Sequence, residues 1–334
     1  MKKYRRAAAL ASAGALVASL MLGVSSAGQS SAGTWCSSVK ISYFKGGTAD
    51  SFSDILEKGA RQAAADTGAQ VTIISSGWNF PRMVQQFKEE IVKKPDAISF
   101  MGHPGDAAIL SAAKDAKKAG ILVDFANVPA RRSIAELNAG FVGANLSKMG
   151  AALAARAVTD FGIKRGDKAI VVGTFGVKGR SDREDAVVKT LRAKGIDVTE
   201  LNLQSIGENV TGNPNLLTPS MTAAIKAAGS SLKLIVSEGA LLGATPTYFT
   251  AAGLKPGQVK VAGFDVGADV LAAFASGHVQ LTADQEPFKQ GYLPIISLCL
   301  QKVYGLAASS VDTSAGFVTV DNYKTVAALP KGFR

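Results

Sequence analysis

Two cysteines and two histidines among 334 residues leave little material for a metal centre. The histidines, His103 and His278, fall in no H-E-x-x-H spacing, and the G-x-S-x-G elbow of serine hydrolases is missing. A phosphate-binding Gly-Lys-Ser/Thr loop is also missing, and the glycines of Gly173-Thr-Phe-Gly-Val-Lys-Gly179 do not keep the dinucleotide spacing. No cofactor is expected. Only 19% of residues are charged and 7% aromatic, with no long basic run interleaved by aromatics, which argues against a nucleic-acid partner. The acid pairs Asp182 with Asp185 and Asp265 with Asp269 have the spacing of a solvated helix face rather than of a general acid and base.

What is present is apolar material, 47% of the chain, enough for two ordinary cores. Lys2, Lys3, Arg5 and Arg6 precede an uncharged run from Ala7 to Val24, and Ser25-Ser26-Ala27 follows with the small residues of a cleavage site. This is the pattern of a signal peptide over residues 1–27, so the expectation is an exported protein. A retained anchor is the poorer fit, since the run is short for a span. Without those four cations the formal charge falls from +11 to +7. In an exported chain an isolated pair, Cys36 and Cys299, is expected to be a disulfide. Lipid on Cys36 would call for Leu and small residues where Gly33-Thr34-Trp35 stand.

From Val39 onward, short β-branched or apolar runs alternate with stretches of helical spacing, at about thirty residues per pair. Strands are expected at Val39–Phe44, Gln70–Ile74, Ala97–Met101 and Ile121–Phe125, then at Lys168–Val172, Val198–Leu203, Leu232–Val236 and Val259–Phe264. Helices fill the intervals, among them Ser51–Thr67, Pro81–Lys93, Asp182–Lys194 and Leu241–Ala252, while 209–219 reads as loop. Phe141–Leu146 reads as the first passage between two α/β lobes. The fold class is therefore α/β, two doubly wound parallel-sheet lobes.

Ligands of open α/β sheets gather beyond the carboxyl ends of the strands. Those positions hold Lys45, Asp50 and Phe52, then Trp78 and Asn79, His103, Asn127, Arg183, Ser237 and Glu238, Asp265, and Gln285. Carboxylates, amides and guanidinium groups pair with neighbouring hydroxyls, and aromatics cover the C–H face of a ring, so the mixture suits a carbohydrate. Each residue also has a plainer reading: Asp265 as a helix cap, Phe52 and Trp78 as packing, Arg183 as a surface ion pair, His103 as a loop histidine.

Asp50-Ser-Phe52, Glu57-Lys-Gly-Ala60, Gly120-Ile-Leu-Val123 leading to Asn127, Arg183 to Val187, Ala262-Gly-Phe-Asp265 and Gln285-Glu-Pro-Phe-Lys-Gln-Gly291 together resemble periplasmic sugar-binding proteins of the ribose-binding type. The resemblance spans nearly the whole mature chain. It implies a type I periplasmic binding fold with a three-segment hinge, the first lobe being 35–144 with 286–315 and the second 145–285 with 316–334. It also implies a monomeric receptor that hands a small sugar or polyol to an ABC-importer permease and is not an enzyme. Phe52 would stack on the sugar with Asp50 nearby, Arg183 would make a bidentate contact, and Asp265 and Gln285 would complete the hydroxyl contacts. Asn127 and Ser237 replace the Asp and Asn usual in relatives, so a hydroxyl pattern other than that of ribose is implied, with Trp78 and His103 placed to compensate. A furanose-like signalling molecule of the autoinducer-2 type is the alternative ligand, and a secreted carbohydrate-active enzyme the alternative class. A repressor of similar lobes would carry a helix-turn-helix where the leader stands.

Overall fold

The structure, a computed structural model, describes residues 33–177, 180–207, 210–314 and 316–329. The leader expected over residues 1–27 lies outside them. Strands β1 (Lys40–Gly46), β2 (Gln70–Ser75), β3 (Ala97–Met101), β4 (Leu122–Ala126) and β5 (Phe141–Gly143) belong to one sheet. A second sheet holds β6 (Lys168–Gly173), β7 (Asp197–Asn202), β8 (Leu232–Glu238), β9 (Lys260–Phe264) and β10 (Leu281–Asp284). Near the C-terminus β11 (Ser310–Asp312) returns to the first sheet and β12 (Gly316–Thr319) to the second. The orders are β11-β5-β4-β3-β1-β2 and β12-β10-β9-β8-β6-β7. All pairings are parallel except that of β10 with β12.

Parallel strands covered on both faces carry continuous apolar runs, and β3, buried along its whole length, is of that kind. Helices end where the sequence supplies a stop: the helix Ser51–Thr67 is capped by Asp50 and closed by Gly68 at φ 80°. Phe44, Phe87 and Phe100 form an aromatic centre in the first lobe, with centroids 4.3 to 6.4 Å apart. The second lobe buries a separate cluster on each face of its sheet.

The chain passes between sheets three times: after β5, after β10, and between β11 and β12. After the second passage, the helix Pro287–Tyr304 lies against Ser51–Thr67. Glycine makes that approach possible, since a Cβ on Gly291 would collide with the Leu56 carbonyl oxygen. Cys299 on this helix is bonded to Cys36 at a Cα separation of 5.8 Å, which fastens the start of the described chain to the element returning from the second lobe.

Several elements differ from expectation. Phe141–Gly143, read as part of a passage, is strand β5, because its amides and carbonyls pair with β4 and β11. The helix expected over Leu241–Ala252 is two, Gly239–Gly243 and Thr245–Ala252; Pro246 opens a new first turn, as a residue without an N–H can. The stretch read as loop at 209–219 contains a short 3-10 turn, Pro214–Leu217, leading into the helix Thr218–Ala228.

Candidate functional site

The carboxyl ends of both sheets face one cleft, a cavity of about 560 Å³. Asp50, Phe52, Trp78, His103, Asn127, Arg183, Asp265 and Gln285 all line it. Ser237 does not. It is fully buried in β8 with no hydrogen-bond partner for its hydroxyl, and the next residue of the alternating strand, Glu238, faces the cavity instead.

Three lining residues hold left-handed backbone: Trp78 at φ 58°, Asn127 at 62° and Asp265 at 76°. For a bulky residue such as Trp that conformation costs about 1–3 kcal/mol. It turns the chain sharply after β4 and β9 and aims the side chains across the cleft. Asp265 is therefore not a helix cap; the following helix, Ala268–Ala275, is capped by Gly267.

Aromatic rings line the first lobe in a row. Phe52 lies 6.5 Å from Trp78, Trp78 5.1 Å from His103, and His103 5.7 Å from Phe80. The Trp78 indole donates to Asp50 Oδ2 at 3.0 Å, and Asp50 also accepts from the Ser53 amide at 2.9 Å and hydroxyl at 2.8 Å. The Asp50 carboxylate thus holds the tryptophan and caps a helix. Burial, with the nearby Arg180 and Arg183 cations, pushes His103 well below the usual histidine range, so its ring is neutral and its Nδ1 has no partner.

The second lobe supplies a compact charge cluster. Arg180 donates to both oxygens of Glu238, at 3.0 and 3.1 Å, and to Glu184 at 3.2 Å. Arg183 donates to Glu184 at 2.7 Å and also meets Glu238, and its guanidinium lies 4.3 Å from the Phe264 ring centroid. Two cations and two anions balance inside this wall, and mutual pairing fixes each of them. The helix carrying Arg183 sits close because a Cβ on Gly150 would strike the Arg183 carbonyl oxygen. Glu238 was noted by sequence only as a residue past a strand end, and Arg180 not at all; Arg180 and Glu184 do stand four apart, the spacing of a helical ion pair.

At the crossings a chain of amides is oriented by one carbonyl. Gln290, fully buried, donates to the Gln285 carbonyl at 2.8 Å and to Thr313 Oγ1 at 3.0 Å, so its own Oε1 faces Asn127 Nδ2 at 2.9 Å. Asn127 Nδ2 also lies 3.4 Å from Gln285 Oε1, and Gln285 Nε2 donates to Asp265 Oδ1. With its amino group engaged, Asn127 offers Oδ1 to the cleft. Burial raises the Asp265 carboxyl above the ordinary carboxylate range, against the pull of Arg183 and Gln285. The crossing end of the site therefore presents oxygen acceptors and asks its ligand for donors, as hydroxyls are.

The lobes meet at the rim. Arg131 of the first pairs with Asp182 of the second at 3.0 Å, and a Cβ on Gly267 would lie 3.1 Å from Ser51 Oγ. No group of three or more His, Cys, Asp or Glu among the described residues could hold a metal. No helix among them is long and apolar enough to cross a membrane.

A family model described as periplasmic binding protein domain matches residues 43–301. No curated protein matches the sequence. Among solved structures, a carbohydrate transporter of Acidothermus cellulolyticus in complex with myo-inositol is 24% identical, with a TM-score of 0.75 over 89% of this chain and 99% of that one. An ABC transporter solute-binding protein of Burkholderia graminis in complex with D-arabinose is 21% identical, with the same TM-score and coverage. Another from Agrobacterium vitis with bound D-fucose is 19% identical, with a TM-score of 0.75 over 86% of this chain and 98% of that one. At these identities the shared property is the fold.

Proposed function

Since the chain belongs to the periplasmic binding protein domain family, we propose that it is an exported receptor that binds a small sugar or polyol between its lobes and delivers it to the permease of an ABC importer. The observation that carries this reading is the acceptor-rich crossing end, Asn127 Oδ1 and Asp265, set beside a row of aromatic rings. Hydroxyls satisfy the first and C–H faces the second. Structures of the same fold hold myo-inositol, D-arabinose and D-fucose, which supports the ligand class.

The ligand acts by joining two rigid bodies. Phe52, Trp78 and Asn127 belong to the first lobe, Arg183 and Asp265 to the second, and Gln285 stands at the second passage. A molecule that touches both sets stabilises the closed arrangement over the open one by its difference in contacts. The permease then reads closure. A hydrolytic role fits less well, because Glu238 is neutralised by two guanidinium groups rather than free to move a proton.

A thermal-shift screen of the purified protein against pentoses, hexoses, inositols and an autoinducer-2 analogue tests the reading, since a ligand that binds only the folded form raises the unfolding midpoint. The expected result is a shift with a subset of the sugars or polyols, together with a smaller radius of gyration in solution scattering. No shift with any member, or turnover of one, would refute it.

A further inference from the structure

The order of the two sheets fixes how far the cleft reaches. In the first sheet β4, β3, β1 and β2 lie side by side, and in the second β9, β8, β6 and β7 do. Asn127 and Asp265 follow β4 and β9, whereas Phe80 and Pro81 follow β2, and Leu203 and Val210 follow β7; all line the same cavity. Neighbouring strands are about 4.8 Å apart, so the two ends of the lining are separated by about 14 Å. One six-membered sugar ring packed at interior density occupies roughly 200 Å³, well under the cavity of about 560 Å³. A lone monosaccharide at the crossing end leaves the outer end empty.

Aromatic rings cover the first-lobe wall of the cavity: Phe52, Trp78, His103 and Phe80 follow one another with centroids 5.1 to 6.5 Å apart. That surface is longer than one pyranose face. Past the outer strands β2 and β7, the first lobe contributes Phe80 and Pro81 and the second Leu203 and Val210, apolar contacts beside Asn79, Gln204 and Thr211 and unlike the charged wall of Arg180, Arg183 and Glu238.

We propose that this outer end is a second subsite and that the ligand is a glycoside: a sugar or polyol ring at the crossing end, joined to a second ring held between Phe80 and Leu203. The inference rests on the receptor reading above and narrows its ligand class.

Calorimetry on the mature protein tests it, with D-arabinose and D-fucose compared against their 4-nitrophenyl glycosides in both anomers, and myo-inositol against its galactosyl ether. The expected result is that at least one glycoside binds about tenfold tighter than its parent, the gain from burying a second ring. The ratio of the two affinities falls toward one in Phe80→Ala, a half-buried position at a helix start, and in Leu203→Ala. Parent compounds that bind as tightly as every glycoside would overturn the subsite while leaving the receptor reading intact. A gain that survives both substitutions would overturn its placement. If neither parents nor glycosides bind, the receptor reading fails and the subsite with it.

Discussion

Replacing Gln290 by Leu keeps the volume of the side chain and removes every polar atom beyond its Cβ. In the parent protein those atoms satisfy the Gln285 carbonyl, Thr313 Oγ1 and Asn127 Nδ2, all within 3.0 Å and all buried. A buried polar group left without a partner costs about 1–3 kcal/mol. Thr313 can turn its hydroxyl elsewhere and Asn127 keeps its long contact to Gln285 at 3.4 Å, so one to two full penalties remain. The expected loss of stability is therefore about 2–4 kcal/mol. Affinity should fall separately, because only the 3.4 Å contact to Gln285 is left to turn Asn127 Oδ1 rather than its Nδ2 to the cleft. Urea unfolding followed by tryptophan fluorescence measures the first effect, and calorimetry with the best ligand of the screen measures the second. Gln290→Glu adds a sign test. Its carboxylate would face the Gln285 carbonyl, so the protonated form is favoured in the folded state and the folded pKa is raised. Stability of this variant should be greatest below about 4.3 and decline as pH rises through the raised value. A Leu variant with parental unfolding midpoint and affinity would refute the proposed role of the amide chain.

Asp265 carries a raised folded pKa, so what it contributes to stability is present below the unfolded value of 3.8 and lost as pH rises through the folded one. Asp265→Asn should accordingly unfold at a higher temperature than the parent at neutral pH while binding the ligand at least about tenfold more weakly; thermal melts and calorimetry read the two effects. His103 is shifted the other way, and the unfolded chain takes up a proton at 6.5 that the folded protein refuses, so stability is lost as pH falls below 6.5. His103→Gln should flatten that part of the pH profile of the melting temperature. Intact mass with and without reductant should differ by two hydrogens for the Cys36–Cys299 bond, and reduction of this link between residues 263 apart should cost about 2–5 kcal/mol.

Much of this architecture is legible in the chain because parallel strands buried on both faces have nowhere to put polar residues; β3 and β9 stand out as apolar runs ended by Gly or by Gly-Phe-Asp. The short strands at and next to the sheet edges are not legible. β5, β11 and β12, of three or four residues, have mixed exposure, and only their partners make them strands. Of the residues singled out by position past a strand end, all but Lys45 and Ser237 do line the cavity. That criterion misassigned Ser237, because one residue of register decides whether a side chain enters the core or the cleft. Gln290 was invisible for a different reason. Its importance lies in partners at Asn127, Gln285 and Thr313, which no local pattern brings together.

The late return of the chain to both sheets has a consequence for biosynthesis. β11 completes the edge of the first sheet and β12 that of the second, and both follow every other strand of their sheets in the chain. Neither sheet has its full set of strands until residues 310–319 have been made, and until then the edges of β5 and β10 lack their partners. For an exported receptor, as proposed above, a fold that withholds two edge strands until late in the chain delays itself in a useful way, since a chain threaded through a translocon must stay unfolded until it has crossed. Chains stalled before residue 310 should therefore be far more sensitive to protease than chains released at full length.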